Sequence, residues 1–377
     1  MILLLTYFVT RPAEIVVRDV QKVSQVIGET DRQRNVPADN RTESRFGLRG
    51  TDLGASFEHK GRLVFLFGDT WPVGPNTPDR PVDGDAIAFS DDRNPDDGLT
   101  LDFVTAADGK YKAVDIPGVS LKGFEVPNGG FSAGGHMYGI YTTDHTHVPA
   151  GEIMGRSVLG RSDDGRTWSL VYSLSTDKFI NVSPVIVDAS TTPGLPISRG
   201  KALLMWAGSR EYRRSSPYLA FVPLDRVEDH SAIRYWAGPG KWSASESDAT
   251  PVVNHPEVGE LSVAWCAPLK RWLMLYNSGH PRGIQMRTAL QATGPWGEPI
   301  TLFDPKDGYG KFMHISWRDR HADSVHDPGR ENEYGGEYAP YMIPRFFRKT
   351  KDGARIYFLL STWNPYAVVL MRADLVV

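Results

Sequence analysis

Five short apolar runs recur along the chain, each closing on a polar cluster, and they limit the fold more tightly than any other feature. They are Leu63 to Asp69, Met137 to Asp144, Ala202 to Ser209, Arg271 to Ser278 and Arg355 to Trp363, with starts 74, 65, 69 and 84 residues apart. A fifth of the chain is about 75 residues, so the spacing reads as a five-fold repeat. Each run follows a second strand-like segment: Asp52 to Glu58, Val126 to Ala133, Asn181 to Val187, Glu260 to Ala267 and Tyr338 to Phe347. Further short segments follow, such as Ile87 to Ser90 and Trp168 to Tyr172. Three or four antiparallel strands per repeat, without a helical period, predict an all-β fold, a five-bladed β-propeller. Residues 31–377 are expected to form this single domain. Residues 1–30 form an N-terminal segment in which Ile15 to Ile27 could supply the closing outer strand. Its apolar spacing, at Val17, Val20, Val23 and Val26, is nearer helical than alternating.

Composition agrees. The chain carries 37 Gly, 27 Pro and an 11% aromatic content, too much Gly and Pro for a helical protein. The formal net charge of −3 is spread evenly, which argues against nucleic acid or a polybasic membrane contact. No stretch approaches the ~20 apolar residues of a membrane-spanning helix. The apolar start, Met1 to Val9, has no preceding positive charge and no cleavage site after it, so it falls short of a signal peptide. The single cysteine, Cys266, sits in an apolar run and reads as a small buried hydrophobe.

Turn positions place acids at one mouth of the ring. A two-residue turn at Lys60-Gly61 sets Asp52 opposite Asp69, with Cβ atoms ~5 Å apart. Like charges that close raise one pKa, an arrangement more often functional than structural. The same reasoning with a Gly134-Gly135 turn pairs Glu125 with Asp144, and with a Leu269-Lys270 turn it pairs Glu260 with Gly279, beside His280. In the third repeat the second strand runs out into Gly208-Ser209-Arg210-Glu211-Tyr212-Arg213. Trp71, Tyr212, Trp363, Asn364 and Tyr366 would join these acids, and flat aromatics beside carboxylates, arginines and amides suit a carbohydrate ring. Asp163 to Trp168 resembles the Asp-box hairpin of sialidase-type propellers, one residue short.

Other chemistries find less support, since P-loop, dinucleotide and HExxH motifs are all missing from the sequence. No cofactor is expected. His314, His321 and His326, interleaved with Asp319, Asp323 and Asp327, could hold a structural metal ion but lack standard ligand spacing and read more simply as a solvated loop. Arg210, Arg213 and Arg214 could clamp a phosphate; beside acids they read more simply as a polar network.

As a set, GTDLG (Gly50 to Gly54), FGDTW (Phe67 to Trp71), KFINVSP (Lys178 to Pro184), GSREYRRS (Gly208 to Ser215), GELSV (Gly259 to Val263), APYMIPRF (Ala339 to Phe346) and STWNPYAVVLMR (Ser361 to Arg372) resemble the family long labelled domain of unknown function 4185. Its characterised members form glycoside hydrolase family 183, endo-acting D-arabinanases. The resemblance runs from about Phe46 to Arg372, with departure expected in the insertion from Asp304 to Gly336. It implies a five-bladed propeller that cleaves α-D-arabinofuranosyl linkages in the arabinan of mycobacterial arabinogalactan and lipoarabinomannan. By motif it implies Asp52 and Asp69 as catalytic acids, with Glu211 and Glu260 next. Substrate-binding candidates are Trp71, Arg210, Tyr212, Arg213, His280, Trp363, Asn364 and Tyr366. The expected partner is a polysaccharide met by a monomer that is secreted or acts on the cell wall. The alternatives are a non-catalytic glycan-binding propeller, or a hydrolase or phosphorylase acting on another glycoside.

Overall fold

A computed structural model of the chain describes residues 14–31, 33–305, 336–363 and 366–377. Five antiparallel sheets follow one another around an axis, and their innermost strands touch in cyclic order. The first blade runs outward through Leu48–His59, Arg62–Pro72, Gly84–Ser90 and Asp102–Phe103. The second uses Pro127–Ala133, His136–Thr143, Arg156–Ser162 and Trp168–Ser175. The third is Asn181–Asp188, Lys201–Gly208 and Tyr218–Pro223, with two short outer strands. The fourth is Val258–Cys266, Arg271–Gly279, Arg282–Ala289 and Ile300–Phe303. The fifth is Glu337–Met342, Gly353–Thr362 and Ala367–Val376, and Val16–Gln25 pairs antiparallel with the last of these. The fold is the five-bladed β-propeller that the repeat spacing predicts.

Each of the five apolar runs is the second strand of a blade, and the packing explains why it is apolar throughout. In the first blade Leu63, Phe65 and Phe67 face the fifth blade, whereas Val64 and Leu66 face the second. Both faces of the strand are buried, so alternation gives way to a continuous apolar run. Five such clusters, one in each gap between neighbouring blades, make up the core. Cys266 lies in one of them as a free, buried thiol.

Val16–Gln25 is extended, although its valines are spaced as on a helix. Bulges between Arg18 and Gln21, and between Lys22 and Ser24, interrupt its pairing with Ala367–Val376. The extra residue between Arg18 and Gln21 resets the two-residue alternation, so Val17 and Val20 pack on one face of the sheet, against the fourth blade, while Val23 packs on the other, against the first.

Bulges also change the registers expected at the mouth. Lys60 and Gly61 adopt positive φ of 47° and 86°, a two-residue turn of the mirror-image type. The pairing then keeps step as far as Ala55 opposite Leu66, where Gly54, at φ 98°, is inserted as an extra residue. Asp52 therefore lies opposite Gly68, not opposite Asp69. In the second blade a shift between Pro127 and Gly129 separates Glu125 from Asp144. Glu125 instead accepts hydrogen bonds from the backbone of Lys122 in its own loop and of His145 in the loop after His136–Thr143, and Asp144 pairs with Arg156. In the fourth blade Cys266 pairs with Arg271, a four-residue connection instead of two, which moves Glu260 away from Gly279 and beside Asn277. The Asp163 to Trp168 segment is a hairpin turn in which the Asp164 carboxylate accepts from the backbone of Arg166 and Thr167.

Among the described residues no helix is long and apolar enough to cross a membrane.

Candidate active site

The upper mouth of the ring opens on a cavity of about 350 Å³. Every blade lends it one polar residue from the upper part of its innermost strand: Asp52, Asn128, Asn181, Glu260 and Glu337. The cyclic repeat produces this ring, since equivalent strand positions converge on the axis. Asp69, from the second strand of the first blade, and the segment carrying Glu211, Tyr212 and Arg213 complete it, with Phe124, Tyr338, Trp363 and Tyr366 as aromatic walls.

Asp52 and Asp69 are both buried. Tyr338 donates its hydroxyl to Oδ2 of Asp52 at 2.7 Å, while Oδ1 has no hydrogen-bond partner among the described residues. Burial pushes the Asp52 carboxyl up to about 7, with Glu260 adding to the effect and the Tyr338 hydrogen bond and Arg213 opposing it. Asp69 accepts from the backbone N–H of Phe124 at 3.1 Å. Burial, then the neighbouring Asp52 and Asp83, hold its carboxyl well above the usual range. The two acids are not directly opposed, yet they share one cavity and disfavour each other's charge.

Glu260 behaves in the opposite way. Burial disfavours its charge, but Arg213 at 3.0 Å and the Tyr212 hydroxyl at 2.5 Å outweigh burial and keep its carboxyl below the usual range. The Arg213 guanidinium lies 4.7 Å from the Tyr212 ring centroid and 5.1 Å from that of Tyr338. The cavity thus holds two carboxyls that favour the proton beside one that favours the charge. Glu211 stands exposed at the rim, and its carboxylate makes no hydrogen bond or ion pair among the described residues.

Five non-glycine residues that line the cavity have left-handed backbone: Leu53, Asp69, Phe124, Arg213 and Tyr366, with φ between 41° and 67°. Such conformations cost of order 1–3 kcal/mol each and persist where the surroundings enforce them, commonly at functional sites.

Of the remaining residues expected here, Tyr212, Arg213, Trp363 and Tyr366 line the cavity. Trp71 and Arg210 do not. His280 pairs with Glu257 at 2.9 Å in an adjoining hollow of about 590 Å³, which shares Arg213, Gly336 and Glu337 with the main cavity. Asn364 and the cluster His314, His321, His326, Asp319, Asp323 and Asp327 lie outside the described residues. Among the described residues no group of three His, Cys, Asp or Glu is disposed to hold a metal ion.

Sequence reasoning missed Asn128, Asn181, Glu337 and Tyr338 as site residues. The same repeat that located the strands, applied to the starts of the inner strands, would have suggested them. It also missed Asp83 and Asp85 in Asp83-Gly84-Asp85, just before an apolar strand. Asp85 is wholly buried, and burial, then Asp69 and Asp52, hold its carboxyl well above the usual range.

The molecule is thus a five-bladed propeller with an acid-lined cavity on its axis, the class of protein that the fold and the site define. The chain belongs to the family described as "Domain of unknown function (DUF4185)", which matches residues 37–372. No curated protein matches it. Among solved structures, an exo-beta-1,3-galactanase from Phanerochaete chrysosporium is similar at 6% identity and a TM-score of 0.49. That likeness covers 95% of this chain but only 64% of the galactanase chain. A protein of the GH130 family, described with hydrolases that target beta-1,2 mannosidic linkages in Candida mannan, has 14% identity and a TM-score of 0.49, over 95% of this chain and 94% of its own. The family 117 glycoside hydrolase Zg3597 from Zobellia galactanivorans has 10% identity and a TM-score of 0.47, over 96% and 90%. At these values the likeness is one of general chain path.

Proposed function

We propose that this protein is a glycoside hydrolase that cleaves internal α-D-arabinofuranosyl linkages of D-arabinan, the polysaccharide component of mycobacterial arabinogalactan and lipoarabinomannan. The observation that carries the hydrolase reading is the pair of buried carboxyls, Asp52 and Asp69, with raised pKa values in one cavity. Glycoside hydrolysis needs a carboxylic acid that still carries its proton at working pH and a second carboxylate that acts as base or nucleophile. Asp69 is the proton donor to the leaving oxygen. Asp52, which ionises near 7 and is oriented by Tyr338, is the carboxylate. Glu260, fixed in its charged form by Arg213, favours positive charge developing on the sugar ring. Aromatic faces and the amides of Asn128 and Asn181 suit ring C–H surfaces and hydroxyls. The hollow that continues past Arg213 makes the mouth longer than a pocket for a chain end, which favours internal cleavage. The choice of D-arabinan follows from the motif resemblance and the family membership.

The test is to incubate the purified protein with D-arabinan, L-arabinan and xylan and analyse the products. Oligosaccharides of several lengths from D-arabinan alone are expected. Monosaccharide as the sole product would overturn the internal mode. Turnover that requires added phosphate would indicate a phosphorylase, and D-arabinan bound but left intact would indicate a binding propeller.

A further inference from the structure

Below the acid pair the axis of the ring opens again. A second cavity, of about 340 Å³, reaches the opposite mouth and is lined by all five inner strands, including Ser56, Asn128, Ser183, Ala264 and Tyr341. Asn128 lines both cavities, so a single layer of side chains divides them. Three buried polar atoms mark out this line without a hydrogen-bond partner among the described residues: Oδ1 of Asp52, the hydroxyl of Tyr341 and Oγ of Ser56. Leaving such atoms unsatisfied disfavours the folded state, and in native proteins ordered water commonly takes up the bond. Glu260 and Asp52 both act electrostatically on Tyr341, a residue that lines the lower cavity. The lower cavity is thus roomy, has Ser56, Ser183 and Tyr341 in its wall, and ends at the floor of the site.

We propose that the lower cavity is a solvent reservoir, feeding water to the acid pair from beneath, past Asn128 and Tyr341, while a polysaccharide covers the upper mouth. This rests on the hydrolase reading above. Each cleavage consumes one water: its oxygen bonds to the anomeric carbon as the bond to the leaving sugar breaks. The carboxylic acid gives its proton to the leaving oxygen, and one water proton returns to the carboxyl pair. A polymer lying across the mouth blocks entry from above, whereas a short oligosaccharide leaves that side open. The need for the lower route therefore grows with substrate length.

The test plugs the reservoir from two different blades, with Ser56→Leu and, separately, Val185→Phe, both positions lining the lower cavity away from the acids. Thermal melts verify folding. In at least one folded variant, kcat on long D-arabinan should fall about tenfold or more, while kcat on a short D-arabino-oligosaccharide stays within about twofold of wild type. A crystal structure at high resolution should show ordered water in the lower cavity. Equal losses on both substrates, no loss in either folded variant, or a dry lower cavity would each overturn the reservoir. If the wild-type protein cuts neither polymer nor oligosaccharide, the hydrolase reading fails as well, an outcome the plugging results cannot mimic.

Discussion

At the scale of single residues, Asp52 and Asp69 are held in a state that folding alone disfavours. Both pKa values are raised in the folded protein, so the protonated forms stabilise it. That contribution is intact below the ordinary carboxylate value of 3.8 and is lost as pH rises through the raised values, which for Asp52 means through about 7. Asp52→Asn and Asp69→Asn should each lower hydrolysis by ~100-fold or more, the lower end of general acid-base contributions. The same variants should melt higher than wild type at pH 8, with the gain shrinking toward pH 4. If they melt lower at pH 8, the carboxylates are structural anchors. Tyr338→Phe offers a second check. Its hydroxyl lowers the Asp52 pKa, so losing it should move the acid limb of the pH–rate profile to higher pH. An unmoved limb in kcat/KM would assign that limb to another group. These roles were partly legible in the sequence. Asp52 and Asp69 stood out through the repeat, but Asn128 was hidden behind the more conspicuous Glu125, whose carboxylate holds the backbone of two loops, at Lys122 and His145.

At the scale of strands, legibility depended on burial. The second strand of each blade could be read directly because both its faces are apolar, as Leu63 to Phe67 shows. Registers could not, because bulges leave little trace in composition. Gly54 is the clearest case. It sits at φ 98°, and an added Cβ would meet Leu359 Cδ1 at 2.5 Å. Gly54→Ala should therefore destabilise the protein by more than ~1 kcal/mol, since both backbone strain and overpacking oppose it. Activity should fall too, because the bulge sets where Asp52 points. Chemical denaturation together with turnover would measure both; full activity at wild-type stability would mean that the strand re-registers without effect. The N-terminal strand posed a related difficulty. Its bulges gave valines a helical spacing, and the sequence alone had no means of distinguishing a bulged strand from a helix there.

At the scale of the whole molecule, the fifth blade is built from both parts of the chain, Val16–Gln25 lying beside Ala367–Val376. The pairing buries Val17 and Val20 against the core between the fourth and fifth blades, and Val23 against the core between the fifth and first. Deleting residues 14–25 should leave Ala367–Val376 as a bare edge and remove those contacts. We expect a melting temperature lower by several degrees and a concentration-dependent tendency to associate, measurable by calorimetry and light scattering. A variant that remains monomeric and melts like wild type would show that the outer strand is dispensable.

That shared blade also imposes an order on biosynthesis. Strand Val16–Gln25 is translated before every other described strand, yet the strand it needs, Ala367–Val376, comes after all of them. During synthesis it must wait, unpaired, while four blades can already form behind it, and closure of the ring becomes possible only once Ala367–Val376 has been made and has left the ribosome. Contacts between chain ends are slow to find, and an unpaired strand is open to other partners meanwhile. Its charged residues Arg18, Asp19 and Lys22 suit that interval, keeping the waiting edge in solution until its own partner arrives.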